Sequence, residues 1–307
     1  MDRLQSMRVF SMVVEQGGFA RAANAMDLSN AVVTRHVADL ENHLGTRLLN
    51  RTTRKLSLTE TGQIYLERVR TILQEIDDAD AMASCMSQNP SGTLRIYSQL
   101  GFGKLQLAQM LPDYALAFPD VTLDVTLSDR TVDLVEEGFD IGFFIGLQKF
   151  DASMIARQLG VAEVLLCASP AYIKQYGAPQ VPQDVTQHNC LNFNNVDQLR
   201  NSWPINGPDG TINIPITSKM MSNNGDLLRH CAASGMGLVA GPSFGMTADL
   251  ESKQLVRLLP DYRIGQLSVV MVYPSRRLLS AKVRSFVDFI SQHYPHPEID
   301  PWLKAVG

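Results

Sequence analysis

Residues 20–58, ARAANAMDLSNAVVTRHVADLENHLGTRLLNRTTRKLSL, decide the fold. Within them Val33, Val37, Leu40 and Leu44 recur at helical spacing, which gathers them on one side of a helix. Ser29 stands where a hydroxyl can accept from an unpaired first-turn amide, and Gly45 follows the last apolar position as a stop. Asn30, Ala31, Thr34 and Arg35 are left together on the other side, near the N-terminal end. A helix divided in this way packs its back on a domain and offers its first turns to base edges in a major groove. The stretch therefore predicts a DNA-reading helix.

The flanks complete the unit. Upstream, Leu4, Met7, Phe10 and Val14 form an apolar stripe on a first helix ending at Gly17-Gly18. The Ala-rich run Ala20 to Met26 gives a short second helix, small enough for the third to cross closely. Downstream, Leu48 to Leu58 reads as two short strands around a basic tip, a wing. Arg51, Arg54 and Lys55 would meet phosphates there, with the hydroxyls of Thr52 and Thr53 beside them. Charge is distributed to match. Residues 1–58 hold eight Lys and Arg against five Asp and Glu, +3; the whole chain is −4, so the other 249 residues carry −7. A DNA-facing end on an acidic body fits those signs.

From Glu60 the pattern changes. Tyr65, Val69, Ile72, Ile76, Ala79, Ala83 and Met86 alternate at four and three residues, the a/d seam of a long helix over 59–88. Such a helix is too long to be buried on a small domain, which points to dimerisation. Asn89-Pro90-Ser91-Gly92 then marks a hinge over 89–92. Residues 93–307 alternate β-rich and helical runs: strands at 93–97, 121–127 and 140–145, helices at 104–118 and 132–138. This argues a mostly parallel sheet with helices on both faces. Near Gly160-Val161 the chain is expected to cross into a second lobe of about 162–265. It then returns so that about 93–161 and 266–307 form the first.

The ordered set Phe10, Gly18-Phe19, Ala22-Ala23, Leu28-Ser29, Thr34-Arg35, Leu40-Glu41, Leu44-Gly45, Leu48, Arg51-Thr52, Arg54 and Leu58-Thr59-Glu60-Thr61-Gly62 resembles the LysR-type transcriptional regulators. The closing stretch Tyr273 to Phe289 is similar to one subgroup of them, so the resemblance spans nearly the whole chain. It implies an all-α winged helix-turn-helix domain (1–58) and a linker helix, joined to an α/β two-lobed effector domain like a periplasmic solute-binding protein. It also implies antiparallel pairing of linker helices, a homodimer or a homotetramer of two dimers, and an interrupted inverted repeat in double-stranded DNA. A small-molecule effector and RNA polymerase complete the expected partners. Where the family usually has Gln before Pro or Ser early in the reading helix, this chain has Asn30-Ala31. Asn still pairs with adenine edges. Arg35 is the first choice for base contact, with Asn30 and Thr34 assisting.

Ligands in open α/β sheets bind beyond the C-terminal strand ends, where lobes meet. The candidates are Ser98, Gln99, Gly101 and Phe102 after the first strand; Phe144 and Gly146 after another; Asn194 after a strand of the other lobe; Asn224 at a helix start; and Gly241 and Ser243. Phe144 stands where many relatives carry an Arg, which favours a less charged or more aromatic effector. Cys85, Cys167, Cys190 and Cys231 have neither zinc spacing nor a disulfide framework, as in a reduced cytoplasmic protein. Cys231 follows Arg229-His230, and a neighbouring cation can activate a thiol, so a redox-responsive regulator is the alternative. A solute receptor for transport is the reading from another class, and the DNA-binding half argues against it. No catalytic constellation, metal site or cofactor loop is expected, nor a signal peptide or membrane span.

Overall fold

The computed structural model describes residues 2–52, 55–83, 89–146, 150–151, 153–194, 201–208, 210–275 and 279–303. Two compact units emerge. The first contains helices α1 (Arg3–Glu15), α2 (Phe19–Ala25) and α3 (Asn30–Leu44), the hairpin β1 (Leu49–Thr52) and β2 (Lys55–Leu58), and helix α4 (Glu60–Ala83). Val9, Phe10, Val13, Ala22, Ala23, Val33, Val37, Leu40, Leu48, Leu49 and Leu66 form its core. On α1 burial is rotated from the expected stripe: Val9 and Val13 are fully buried, whereas Met7 and Val14 lie at the margin. The reason is that α1 packs on both α3 and α4 and so needs a wider apolar face than one stripe.

Local chemistry sets the ends of α3. Ser29 Oγ accepts from Val32 N at 3.3 Å, and Gly45 closes the helix at φ 67°, a conformation glycine adopts without a Cβ clash. The apolar stripe stops at Leu40. Leu44 is 37% exposed, and Glu41 takes the inner position instead. Its carboxylate accepts from Leu48 N (2.9 Å) and Leu49 N (3.1 Å), which fastens the wing to the helix. The wing is antiparallel from Leu49↔Leu58 to Thr52↔Lys55. Thr59 Oγ1 then accepts from Gly62 N (2.9 Å) while donating to Arg47 O (2.8 Å), capping α4. A Cβ on Gly62 would come within 2.0 Å of Leu48 O, so only glycine lets α4 pass the wing this closely. Among the described side chains of α4, Leu66, Val69 and Leu73 are buried, while Ile72 of the expected seam is 41% exposed. The side chains of Ala79 and Ala83, and Met86 altogether, lie outside the described residues.

The second unit is built on one sheet. Its elements run β3 (Gly92–Ser98), α5 (Leu100–Phe102), a π-helical turn (Gly103–Leu107), α6 (Ala108–Ala117), β4 (Val121–Leu127), β5 (Ile141–Ile145) and β6 (Met154–Ala168). There follow α7 (Pro170–Tyr176), a 3-10 turn (Pro182–Gln187), β7 (Asn189–Phe193), β8 (Ser202–Gly207), β9 (Gly210–Pro215), β10 (Thr217–Ser222) and α8 (Gly225–Ala233). The chain ends with β11 (Leu238–Pro242), α9 (Ser243–Glu251), β12 (Val256–Leu258), β13 (Gly265–Pro274) and α10 (Ala281–His293). The described strand order is β10-β7-β11-β6-β13-β5-β3-β4, with β12 also on β6, and β8–β9 form a separate hairpin.

Two lobes share this sheet. In lobe I, β3 pairs in parallel with β4 and β5; in lobe II, β7 pairs in parallel with β10 and β11. The strands that join them, β6 and β13, are antiparallel to each other and to their other neighbours, so the sheet is mixed rather than mostly parallel. The passage between lobes near Gly160-Val161 is made within a strand. β6 runs unbroken from Met154 to Ala168, pairing first with β13 and then with β11 and β12. A register shift opposite Val269/Val270 is the one irregularity in the β6–β13 pairing. The helix expected at 132–138 is instead a capped turn, with Asp133 Oδ1 accepting from Val135 N and Glu136 N, both at 2.9 Å. No helix among the described residues is long and apolar enough to cross a membrane.

Candidate nucleic-acid interface and effector cleft

The first turns of α3 present Asn30, Ala31 and Arg35 to solvent, with Thr34 partly covered. Behind them Val33, Val37 and Leu40 are fully buried. The Arg35 side chain is 83% exposed and lies 3.8 Å from Asp39, a surface pair that leaves it free to reorient. Thr34 Oγ1 donates to Asn30 O at 2.8 Å, so its hydroxyl hydrogen is used within the helix. The two histidines of α3 serve the domain: His36 Nδ1 meets Ser6 Oγ at 3.0 Å, and His43 Nε2 meets Arg3 Nη1 at 3.4 Å. Arg51 and Lys55 lie on the facing wing strands, where Arg51 pairs with Leu56 and Lys55 with Thr52. Thr53 and Arg54 lie outside the described residues.

At the cleft the structure divides the expected residues. Phe102 is fully buried, stacked on Phe143 at 5.7 Å between centroids, and belongs to the core instead of lining the cleft. Ser98 is also fully buried and donates to Gln99 O at 3.0 Å. Gly241 faces inward: a Cβ there would meet Met246 Cε at 2.2 Å. Ser243 is 1% exposed. Phe144, 5% exposed, packs between Tyr97 (5.6 Å) and Phe150 (5.1 Å). Gln99 Oε1 accepts from Ile145 N (2.6 Å), tying the β3 loop to the end of β5 beside Gly146. Asn224 Oδ1 accepts from Leu227 N (2.9 Å) as the cap of α8, and Asn194 is exposed. Gly101 has open space beside its Cα.

Charged residues outside the expected lining set change the electrostatics. Asp129 Oδ1 accepts from Leu100 N at 3.0 Å, so a carboxylate of the chain already occupies that helix start. Lys104 of lobe I reaches Asp226 of lobe II at 2.6 Å. Asp226 also meets Arg229 Nε at 3.5 Å, and Arg229 in turn pairs with Asp249. Burial alone would raise the Asp226 carboxyl; the Lys104 hydrogen bond and the charges of Lys104 and Arg229 outweigh it and hold the group below its usual range. Cys167 and Cys190 are buried, which pushes both thiols up to about 12, while Cys231 is partly exposed.

Residues 4–63 match the bacterial regulatory helix-turn-helix proteins of the lysR family, and residues 87–295 match the LysR substrate binding domain. The HTH-type transcriptional regulator DmlR of Escherichia coli K12 is 36% identical over 297 residues, 95% of this chain and 96% of its own. CrgA, a LysR-type transcriptional regulator from Neisseria meningitidis, is similar in structure at TM-score 0.62 and 30% identity, over 95% of this chain and 99% of that one. The virulence activator AphB of Vibrio cholerae gives TM-score 0.63 at 26% identity, over 95% and 99%. These matches run the length of both halves, a helix-turn-helix unit and a two-lobed effector-binding unit. The chain therefore belongs to the LysR family of DNA-binding transcription regulators, and is not an enzyme.

Proposed function

We propose that two copies of this chain read the halves of an interrupted inverted repeat, and that dimers pair into a tetramer on DNA. In this reading Arg35 contacts base edges, Asn30 and Thr34 assist, and Arg51, Thr53, Arg54 and Lys55 hold phosphates. The observation that carries it is α3, whose first-turn polar groups are exposed while its back is sealed in the core. The test is selection of genomic fragments by the purified protein, followed by footprinting. Protection of an interrupted palindrome, repeated some helical turns away, is expected. Protection of a single short asymmetric site would overturn it.

The effector of this reading binds between the lobes in the cytoplasm, has little negative charge, and alters how the protein engages RNA polymerase. Asp129 supports the charge assignment, because its carboxylate takes the amide that an anionic ligand would use. Gln99, Gly101, Gly146, Asn194 and Asn224 remain as lining positions. Thermal stabilisation by substrates of neighbouring gene products tests it. Uncharged or aromatic compounds should raise the melting temperature more than their carboxylated counterparts; the reverse order would refute the assignment. The thiol alternative through Cys231 has less support, since the cation beside it, Arg229, is engaged by Asp226 and Asp249. Equal DNA affinity of Cys231→Ser and the parent protein under oxidant is the expected result.

A further inference from the structure

Beyond α10 the chain continues into a segment that touches both lobes where β6 passes between them. Gln158 Nε2 donates to Pro297 O (2.7 Å), Val161 N to Ile299 O (3.1 Å) and Glu163 N to Asp300 Oδ2 (2.7 Å). The two backbone-amide bonds, from Val161 and Glu163, satisfy the edge of β6 ahead of Val164, where β11 takes over. Asp300 Oδ1 simultaneously accepts from Trp302 N (3.0 Å) and Leu303 N (3.1 Å), which turns the chain and drives Trp302 inward. Trp302 is 7% exposed.

The indole lands between elements of different lobes. It meets Phe102 of lobe I edge-on at 6.1 Å and Phe244 of lobe II at 5.5 Å, and those two rings touch each other edge-to-face at 5.7 Å. Tyr294, just past α10, closes the group at 5.7 Å. Thr247 of α9 donates to Trp302 O at 3.4 Å, and Leu303 packs on the lobe II core. Gly160 forms the seat: a Cβ there would stand 3.0 Å from Pro301 and 3.2 Å from the indole. A tail that only filled a cavity in one lobe would not need contacts with both, nor lie against the one irregular step of the β6–β13 ribbon.

We propose that Pro297–Leu303 is an intramolecular brace that sets the angle between the lobes, with Trp302 as its wedge and Asp300 as its clasp. Opening or closing the cleft then requires the Phe102–Phe244–Trp302 cluster to slide or part. The regulatory meaning of the brace rests on the cleft being the effector site, but its mechanical role does not. A measurement made without ligand separates the two.

The experiment uses the full chain in a Cys85→Ser, Cys231→Ser background with nitroxide labels at Gln109→Cys in lobe I and Lys174→Cys in lobe II, both exposed positions. Labelled chains are diluted with unlabelled ones, so that pulsed dipolar spectroscopy reads distances within one chain. Trp302→Ala should broaden the interlobe distance distribution at least twofold, and Trp302→Phe should restore most of the parent width. An unchanged width in Trp302→Ala would overturn the proposal. Should that variant fail to fold, Asp300→Ala, which keeps the aromatic volume, carries the test by amide exchange. Protection at Val161 and Glu163 should fall at least tenfold, with Asn189–Phe193 unaffected. Unaltered protection at Glu163, or an equal loss throughout lobe II, would refute it.

Discussion

At the scale of single residues, Ser29 and Gly45 set the ends of α3, and Val33, Val37 and Leu40 seal its back so that Arg35 is held outward. Arg35→Ala accordingly should lose about 1–3 kcal/mol of discrimination between its site and random DNA, measured as a ratio of Kd values; a preserved ratio would remove Arg35 from the base contacts. The caps and period of α3 act within a few residues and were legible in the sequence; the cleft was less so. Ser98, Phe102 and Ser243 have the composition of a binding loop, yet their depth is decided by residues far along the chain, such as Phe143 and Leu127. Asp129, which settles the charge beside Leu100, lies 29 positions away and carries no local signal. A buried histidine adds a pH effect. His188 sits against Tyr172 Oη at 3.2 Å, and burial lowers its pKa from 6.5 despite the opposing charge of Asp184. The unfolded chain then binds the proton more readily, so the stabilisation is present above pH 6.5 and is lost as pH falls below it. The denaturation midpoint should drop between pH 7.5 and pH 5.5, and His188→Gln should lessen the drop; an equal drop in both proteins would count against it.

At the scale of elements, period located α1 to α4 but also suggested a helix at 132–138 that is a turn, and it did not reveal the helices' partners. The stripe on α4 was readable as apolar, but its division into Leu66, Val69 and Leu73, buried, and Ile64 and Ile72, exposed, depends on what the helix lies against. β6 was harder still. Its outer half alternates little, and Gly160 imitates a break although it serves to admit Trp302. The contact between Lys104, ahead of α6, and Asp226, in the first turn of α8, joins residues 122 positions apart. Lys104 is 54% exposed, so the pair should contribute only roughly 0.2–1 kcal/mol. A double-mutant cycle of Lys104→Met and Asp226→Asn, read by denaturant unfolding, should return a coupling in that range that shrinks with salt. Zero coupling would mean the two lobes do not hold each other through this contact.

At the scale of the whole molecule, the fold class and the order of domains were readable because the winged unit, the linker seam and the βα alternation each repeat a local pattern. Sheet topology was not, since the two joining strands are defined by pairings between residues 154–168 and 265–274. Because those strands belong to both lobes, the effector half should open as one cooperative unit: amides of β3 and of β7 should exchange at similar opening free energies in mild denaturant. Widely different values would show the lobes to be independent. The same shared strands impose an order on synthesis. Lobe I begins at Gly92, yet β13, which lies between β5 and β6 in the sheet, leaves the ribosome only after all of lobe II has been made. The core described for the helix-turn-helix and its wing, Val9 to Leu66, is made before any strand of this sheet. A nascent chain is thus able to fold its DNA-binding end while its sensor is still an open sheet, and competence to bind precedes competence to be regulated.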